Sequence, residues 1–227
     1  MIKAIAFDAD DTLWDCQSHF EAVERRYCEL LTPYCDVEKI SCELFKTESK
    51  NMDELGYGCK AFTISLVENA IRVSNGRISA SCLSEILELG RSLLRIPATP
   101  LPEVETTLTH LSAGSRFQLV VFTKGELLDQ ENKLRRSGLM PLFNEVFIVS
   151  NKTEDEYQKL CRSLQIVPEE LLMVGNSFKS DIAPALQVGA SAVHIPFHVV
   201  WQHECIDEFE HPKLTRITRF SEILQAI

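Results

Sequence analysis

The stretch MIKAIAFDADDT, residues 1–12, joins a short apolar run to a cluster of acidic residues. Apart from Lys3, residues 2–7 are apolar, and the run ends directly at Asp8. A short apolar run bounded by polar residues predicts a buried strand that opens into a loop. Asp8, Asp10 and Thr12 would then lie just beyond the carboxyl end of that strand.

Similar apolar runs recur along the chain and alternate with helical patterns. The runs lie at 118–122, 146–149, 171–174, 191–195 and 214–217. The helical patterns lie at 103–111, 127–136, 154–164 and 182–188. Strands that alternate with helices predict a parallel sheet covered by helices on both faces. The predicted fold class is therefore α/β, with a Rossmann-like parallel sheet as its core.

Residues 16–96 interrupt this alternation, because they contain helical patterns and no evident strand. Apolar residues at helical spacing predict four amphipathic helices in this stretch, and Asp36 is a plausible N-cap of the second. The proline-rich segment PATPLP at 97–102 would end the last helix and form a semi-rigid connector. We therefore predict an inserted α-helical domain at 16–96 and an α/β core formed by 1–15 and 97–227.

The segment 48–62 of this predicted helical domain leaves two alternatives open. It contains Tyr57, two glycines and two lysines between helical patterns. It could be a loop that closes a ligand site and contacts the ligand. It could equally be an ordinary connection between two helices.

Composition limits the range of partners. The chain of 227 residues has a formal net charge of -10, and such an acidic surface disfavours a nucleic-acid polymer as partner. The eight cysteines show no spacing typical of a zinc site, and many unpaired thiols are typical of a reducing cytoplasm. No signal peptide or membrane span is evident. We expect a soluble, cytoplasmic protein, a monomer or homodimer, that binds a small molecule and no membrane.

Polar residues follow four of the predicted strands. The groups are Asp8, Asp10 and Thr12; Thr123, Lys124 and Gly125; Ser150, Asn151 and Lys152; and Gly175, Asn176, Ser177 and Asp181. The carboxyl ends of parallel strands meet at one edge of the sheet, where ligands bind in α/β proteins. These groups should therefore converge although they are far apart in sequence.

Three carboxylates in one place need a cation. Two carboxylates about 4 Å apart repel by roughly 4 kcal/mol at an effective dielectric constant near 20. A hard divalent ion with oxygen ligands would relieve the repulsion among Asp8, Asp10 and Asp181, and Mg²⁺ fits best. Lys152 would add positive charge, and Thr123 with the turn at Lys124 would donate hydrogen bonds. The group predicts a phosphate site with a carboxylate available as nucleophile.

These motifs resemble those of the haloacid dehalogenase (HAD) superfamily. The first is Asp8-Ala9-Asp10-Asp11-Thr12 after an apolar strand, and the second is Thr123 at the end of LVVF. The third is Lys152 in NKTEDEYQKL, and the fourth is VGNSFKSDIAPA at 174–185. The match covers the core in the right order, and the helical insertion resembles the C1 cap of subfamily I.

The resemblance implies a role for each matching residue. Asp8 would attack phosphorus, form an aspartyl-phosphate and ligate Mg²⁺. Asp10 would protonate the leaving group, activate water and ligate the metal through its backbone carbonyl. An acid at this position favours phosphomonoester chemistry over dehalogenation. Thr123 and Lys152 would hold the phosphoryl oxygens.

The fourth motif would supply the remaining metal ligands, Asn176 and Asp181. The family usually has Gly-Asp where this chain has Gly175-Asn176. An amide oxygen still binds Mg²⁺ but carries no charge, so the resemblance implies an active enzyme with weaker metal binding. Lys179 is the rival of Lys152 for the third motif, but it lies inside the fourth.

The predicted function is a Mg²⁺-dependent phosphatase that hydrolyses a small phosphomonoester, such as a sugar phosphate, a nucleotide or flavin mononucleotide. One alternative is a phosphomutase that transfers the phosphoryl group to a sugar. The other is a catalytically degenerate protein that only binds phosphate. A burst of stable phosphoenzyme, with transfer to a sugar and not to water, would identify the first alternative. Binding of a phosphate analogue without phosphate release from any substrate would identify the second.

Overall fold

Six parallel β-strands form one sheet in the computed structural model, which describes residues 1–114 and 116–227. The strands are β1 Ala4–Phe7, β2 Gln118–Lys124, β3 Glu145–Val149, β4 Leu171–Gly175, β5 Ser191–His194 and β6 Leu214–Arg216. They lie in the order β3-β2-β1-β4-β5-β6. The predicted α/β class with a Rossmann-like parallel sheet is confirmed.

The order of the strands indicates the edge of the sheet at which a ligand would bind. The chain adds strands on one side of β1 and then returns to add β4 on the other, so the order reverses at β1. In open α/β sheets the binding crevice lies at such a reversal, beyond the carboxyl ends of the strands. Strand β2 runs through Lys124, two residues past the predicted end, because Thr123 and Lys124 pair with Ile148 and Val149 of β3.

Both faces of the sheet are buried, which explains its nearly continuous apolar strands. Along β1 the side chains alternate between two clusters. Ile5 and Phe7 pack into a core with Trp14, Leu108 and others on one face. Ala4 and Ala6 pack with Phe122, Tyr157 and their neighbours on the other face. Because β1 is buried on both faces, Asp8 directly follows an apolar strand and lies at the edge of the core.

Four helices belong to the same unit as the sheet. With the four helices of the insertion numbered α1 to α4, they are α5 Val104–Ala113, α6 Leu127–Ser137, α7 Glu154–Ser163 and α8 Ala183–Gln187. Gly138, with a φ of 75°, ends α6. Helix α8 is shorter than predicted because a π-helical turn, Phe178–Ile182, precedes it. That turn lies directly after β4 and carries Asp181.

The insertion is an all-helical unit. Clustering of contacts divides the chain into Met1–Gln17 with Pro97–Ile227, and Ser18–Ile96. The helices are α1 Gln17–Leu31, α2 Val37–Leu55, α3 Cys59–Val73 and α4 Ala80–Leu93. The ends of the predicted insertion, 16 and 96, lie within two residues of this division. The assignment of the unit as a cap stays a prediction.

The structure resolves two details of the insertion that its sequence left open. Most of the segment 48–62 is helical, since α2 continues to Leu55 and α3 begins at Cys59. Only residues 56–58 connect the two helices, which agrees with the ordinary helix connection and not with a long loop. Asp36 occupies the N-cap of α2, but its side chain makes no capping hydrogen bond. Within the part of the chain described, no helix has the length and apolarity needed to cross a bilayer.

Candidate active site

Lys152 joins two buried carboxylates at the carboxyl edge of the sheet. Its Nζ lies 2.5 Å from Asp8 Oδ1 and 2.6 Å from Asp181 Oδ1. Asp8 follows β1, where its N–H donates to the carbonyl of Val174 at 2.9 Å. Lys152 follows β3 and is itself buried. The chain thus brings together three charged side chains from three different strand ends, all of them predicted site residues.

The π-helical turn after β4 fixes Asp181. The Ser177 N–H donates to Asp181 Oδ2 at 3.0 Å. The hydroxyl of Tyr157 on α7 lies 3.1 Å from the carbonyl oxygen of Ser180 and 3.0 Å from that of Asp181. Gly175 leaves the space that the carboxylate occupies, because a Cβ there would lie 2.2 Å from Asp181 Oδ2. The fourth motif therefore has glycine at position 175 because a larger residue would collide with the Asp181 carboxylate.

The charges of this group do not balance. Burial raises the pKa of Asp8 to about 7, Lys152 opposes that rise, and Asp181 adds to it. The pKa of Lys152 lies above its ordinary value, because attraction to Asp181 and Asp8 outweighs the effect of burial. Two buried carboxylates thus share one ammonium. The excess negative charge favours a cation at this edge.

Thr12 connects Asp8 to the fourth motif. Its hydroxyl lies 3.3 Å from Asp8 Oδ2 and 3.2 Å from Asn176 Oδ1, and it can donate to one of them at a time. Two hard oxygen acceptors are therefore next to one another beside a group with excess negative charge, and such oxygens suit Mg²⁺. Among the described residues, no three His, Cys, Asp or Glu side chains form a metal cage by themselves. A metal here would rely on the Asn176 amide and backbone oxygens as well as carboxylates.

Asp10 lies in a separate network of donors. Lys133 Nζ donates to its two carboxylate oxygens at 2.8 and 2.6 Å. Gln130 Nε2 donates to Oδ2 at 2.8 Å, and Trp14 Nε1 donates to Oδ1 at 2.7 Å. Burial acts to raise the pKa of Asp10, but the Lys133 ammonium and these hydrogen bonds outweigh it and hold the pKa below its ordinary value. Asp10 is therefore ionised in this structure.

The second motif contributes one buried hydroxyl and one engaged lysine. Thr123 is buried at the end of β2, and its Oγ1 lies 3.5 Å from the Lys124 carbonyl. The Lys124 ammonium forms an ion pair with Glu204 and donates to Ser180 Oγ at 3.0 Å. Glu204 also accepts hydrogen bonds from Ser177 and Ser180. The side chain of Lys124 thus binds the segment between β5 and β6.

Three further polar residues of the core have ordinary partners. Lys179, the rival of Lys152, is exposed and donates to the carbonyl of His203 at 2.7 Å. Asp11, with a φ of 63°, accepts hydrogen bonds from the N–H groups of Cys16 and Gln17 at the start of α1. His194 lies 3.0 Å from the carbonyl oxygen of Asn176. These contacts explain the positions of the three residues, and none of the contacts requires a catalytic role.

Sequence reasoning missed Gln130, Lys133 and Glu204. Helix α6 reads LLDQENKLRRS, in which Leu127 and Leu128 are exposed and Gln130 and Lys133 are buried. A helix beside a sheet with so few apolar residues must bury polar ones, and that was the available signal. The signal does not tell which residue they contact.

Comparisons with known proteins identify the family of the chain. A family model described as a haloacid dehalogenase-like hydrolase matches residues 2–189. The chain is 27% identical over 205 residues to the glyceraldehyde 3-phosphate phosphatase of Methanothermobacter thermautotrophicus, covering 85% of each chain. It is 28% identical to the enzyme of that name from Methanocaldococcus jannaschii, over 86% of this chain and 85% of that one. A crystal structure of a haloacid dehalogenase-like family hydrolase from Xanthomonas campestris matches with a TM-score of 0.89 and 29% identity, covering 99% of this chain and 90% of that one.

The chain belongs to the haloacid dehalogenase-like hydrolases. The expected recognition is confirmed by a match that covers most of the chain, including all four motifs. The prediction of an enzyme, a HAD-like phosphomonoester hydrolase, is likewise confirmed by the family match together with relatives that carry the phosphatase name.

Proposed function

We propose that this hydrolase is a Mg²⁺-dependent phosphatase that acts on a small phosphomonoester through an aspartyl-phosphate on Asp8. The observation that carries the proposal is the position of Asp8. Its carboxylate lies at the binding edge of the sheet, and Lys152 contacts it at 2.5 Å. An ammonium beside a carboxylate nucleophile can also neutralise the oxygens of a phosphoryl group.

In the first step, an oxygen of Asp8 attacks phosphorus and the bond from phosphorus to the leaving oxygen breaks. Lys152 and the hydroxyl of Thr123 hold the phosphoryl oxygens. The leaving oxygen takes a proton from Asp10. Asp10 is ionised in the free protein, but an approaching phosphate dianion raises the pKa of a nearby carboxyl group and favours its protonation.

In the second step, water attacks the phosphorus of the aspartyl-phosphate. Asp10, now a carboxylate, takes the proton of that water. The bond between phosphorus and the Asp8 oxygen breaks, which releases inorganic phosphate and restores Asp8. The donors around Asp10 favour its deprotonated form, which is the form that can accept this proton.

Four residues would hold Mg²⁺: Asp8 and Asn176 through side-chain oxygens, Asp10 through its backbone carbonyl, and Asp181 directly or through water. The bound ion would supply positive charge that offsets the excess carboxylate and the phosphate. The raised pKa of Asp8 supports the need for such a charge, since Lys152 alone does not cancel the effects of burial and Asp181.

The substrate class is a small phosphorylated metabolite. Relatives named glyceraldehyde 3-phosphate phosphatase make short sugar phosphates the first compounds to test. Eight cysteines without a spacing typical of a zinc site suit a reducing cytoplasm as the site of action. A monomer or homodimer remains our proposal for its assembly.

A phosphate-release screen tests the function. The protein is incubated with Mg²⁺ and a panel of phosphorylated metabolites, beginning with short sugar phosphates, and Asp8→Asn is the control variant. We expect the wild type to release phosphate and the variant to lose that activity. Mass spectrometry should find a phosphoryl group on Asp8 in rapidly quenched wild type. Equal activity of the folded variant and the wild type would exclude Asp8 as nucleophile.

A further inference from the structure

Helix α6 buries a lysine that the proposed reaction does not use directly. The side chain of Lys133 is only 2% exposed and ranks among the largest fully buried side chains. A lysine is almost never fully buried unless it is paired, because removing an ammonium from water is costly. Its acidic partners are Asp10 and, at 3.6 Å, Asp129, and its Nζ also lies 3.8 Å from Cys16 Sγ.

The donors around Asp10 fix the orientation of its carboxylate. An ionised carboxylate offers about four acceptor positions. Four hydrogen bonds reach this one: two from Lys133, one from Gln130 and one from Trp14. Each oxygen accepts two of them. Rotation of the carboxylate would break bonds to groups that are themselves held in place.

Gln130 is itself positioned by its surroundings. Its Nε2 also lies 3.1 Å from the carbonyl oxygen of Lys124, at the end of β2. A Cβ at position 125 would lie 2.9 Å from Nε2, so Gly125 leaves room for the amide to reach Asp10. A side chain at position 125 would therefore displace the Gln130 amide from its contact with Asp10.

Asp10 remains open on one side. Its side chain is 27% exposed, whereas that of Lys133 behind it is 2% exposed. A group that transfers protons to a substrate must be accessible, and a group that only orients it can be buried. An acid that is accessible while its hydrogen-bond donors are buried is the arrangement expected when the orientation of that acid matters to the reaction.

We propose that Lys133 and Gln130 are positioning residues, which hold the carboxylate of Asp10 in the orientation for proton transfer to the leaving group. This inference rests on the proposed phosphatase function. Neither residue needs to contact the substrate, and both act through Asp10. The alternative is that Lys133 and Asp10 form an ion pair that serves only the stability of the fold.

The two roles differ in how they depend on the leaving group. A 4-nitrophenolate departs as a stable anion and needs little help from an acid, whereas an alkoxide needs a proton as it departs. The ratio kcat/KM reports the steps up to formation of the phosphoenzyme, which include this departure. A positioning role therefore predicts a selective loss of kcat/KM on alkyl phosphates.

The experiment compares 4-nitrophenyl phosphate with glycerol 3-phosphate and glyceraldehyde 3-phosphate, in the presence of Mg²⁺. The variants are Lys133→Met and Gln130→Met. Lys159→Met is the control, because Lys159 is exposed and its ion pair among the residues described is with Glu156. We expect Lys133→Met to lose about 10- to 100-fold more kcat/KM on the alkyl esters than on the aryl ester. Gln130→Met should show a smaller loss in the same direction, and it carries the test if Lys133→Met does not fold.

A double-mutant cycle separates positioning from stability. In an Asp10→Asn background, Lys133→Met should change the preference between aryl and alkyl esters by less than about twofold, since the group through which it acts is gone. Equal losses on both ester types, or the full selective loss in the Asp10→Asn background, would overturn the proposal. A wild type that releases phosphate from none of the esters would instead overturn the phosphatase function, and this inference with it.

Discussion

Gly175 lies so close to the carboxylate of Asp181 that a Cβ atom at position 175 would be 2.2 Å from Asp181 Oδ2. The oxygen that would be displaced accepts the Ser177 N–H, and the other oxygen contacts Lys152. A side chain at position 175 would therefore displace Asp181 and disturb the ion pairs that Lys152 forms with Asp181 and Asp8.

We expect Gly175→Ala to lower kcat by about 100-fold, because displacing a catalytic group by about 1 Å has an effect of that order. The added methyl group should also reduce the free energy of unfolding by about 1–3 kcal/mol through overpacking. Gly114→Ala is the matched control, since its Cβ would meet only a carbonyl oxygen at 3.7 Å. Phosphate-release kinetics and urea unfolding measure the two effects. Full activity in Gly175→Ala would mean that Asp181 is not needed where it lies.

Lys152→Met should destabilise the protein in a pH-dependent way. Removing one partner of a buried ion pair costs about 3–5 kcal/mol, and here it leaves Asp8 and Asp181 without their ammonium. The pKa of Asp8 is already raised to about 7 from 3.8, and a raised carboxyl pKa means that stability is lost as the pH rises between those values. The loss in unfolding free energy should therefore be larger at pH 8 than at pH 5.

Urea unfolding of Lys152→Met at both pH values checks this expectation, with the exposed Lys159→Met as control. A destabilisation that is equal at pH 5 and pH 8 would contradict the unpaired carboxylates as its cause.

Asn176→Asp should tighten activation by Mg²⁺. The substitution adds a charged oxygen where Thr12 already contacts Asn176 Oδ1, and the charge of the ligands tunes the affinity of such sites. We expect the Mg²⁺ concentration for half-maximal phosphate release to fall by about tenfold. Asn75→Asp makes the same change of charge at an exposed position in the helical unit. Lower activity without tighter Mg²⁺ activation would argue against Asn176 as a ligand.

Glu204 should stabilise the protein above its ordinary pKa and lose that effect in acid. Burial acts to raise its pKa, but Lys124 and the hydroxyls of Ser177 and Ser180 outweigh it and hold the pKa below 4.5. A lowered carboxyl pKa contributes stability above pH 4.5, which is lost as the pH falls through the folded-state value. We expect Glu204→Gln to cost about 1–3 kcal/mol at pH 7 and progressively less below pH 4.5.

Unfolding of Glu204→Gln across that pH range is compared with Glu210→Gln, whose side chain is 85% exposed. A cost that stays constant down to pH 3 would show that the charge of Glu204 is irrelevant.

The sheet and the residues at its strand ends could be predicted because both are local in sequence. An apolar run that ends at Asp8, or at Gly175 and Asn176, locates a strand and its carboxyl end together. The parallel arrangement then brings Asp8, Lys152 and Asp181 to one edge, whatever the details of packing. The length of α2 was less predictable, since Glu48 to Leu55 carry polar residues that suit a loop or an exposed helix equally.

The partners of the charged residues could not be predicted in the same way. Lys133 contacts Asp10 across 123 positions and Lys124 contacts Glu204 across 80, and no periodicity relates such pairs. These pairs follow from burial, because a buried ammonium is stable only next to a carboxylate. The sequence of α6 signals that something polar is buried, but only the fold selects Asp10 as its partner.

The division of charge across the sheet bears on how the chain folds. The paired carboxylates follow β1 and β4, whereas their lysines come from α6 and from the segment after β3. A partly folded species with β1 and β4 paired but β2 and β3 detached would bury acids without their counterions. Such a species is penalised relative to both the native and the unfolded chain. The same ion pairs that prepare the site for chemistry therefore favour all-or-none assembly of the sheet.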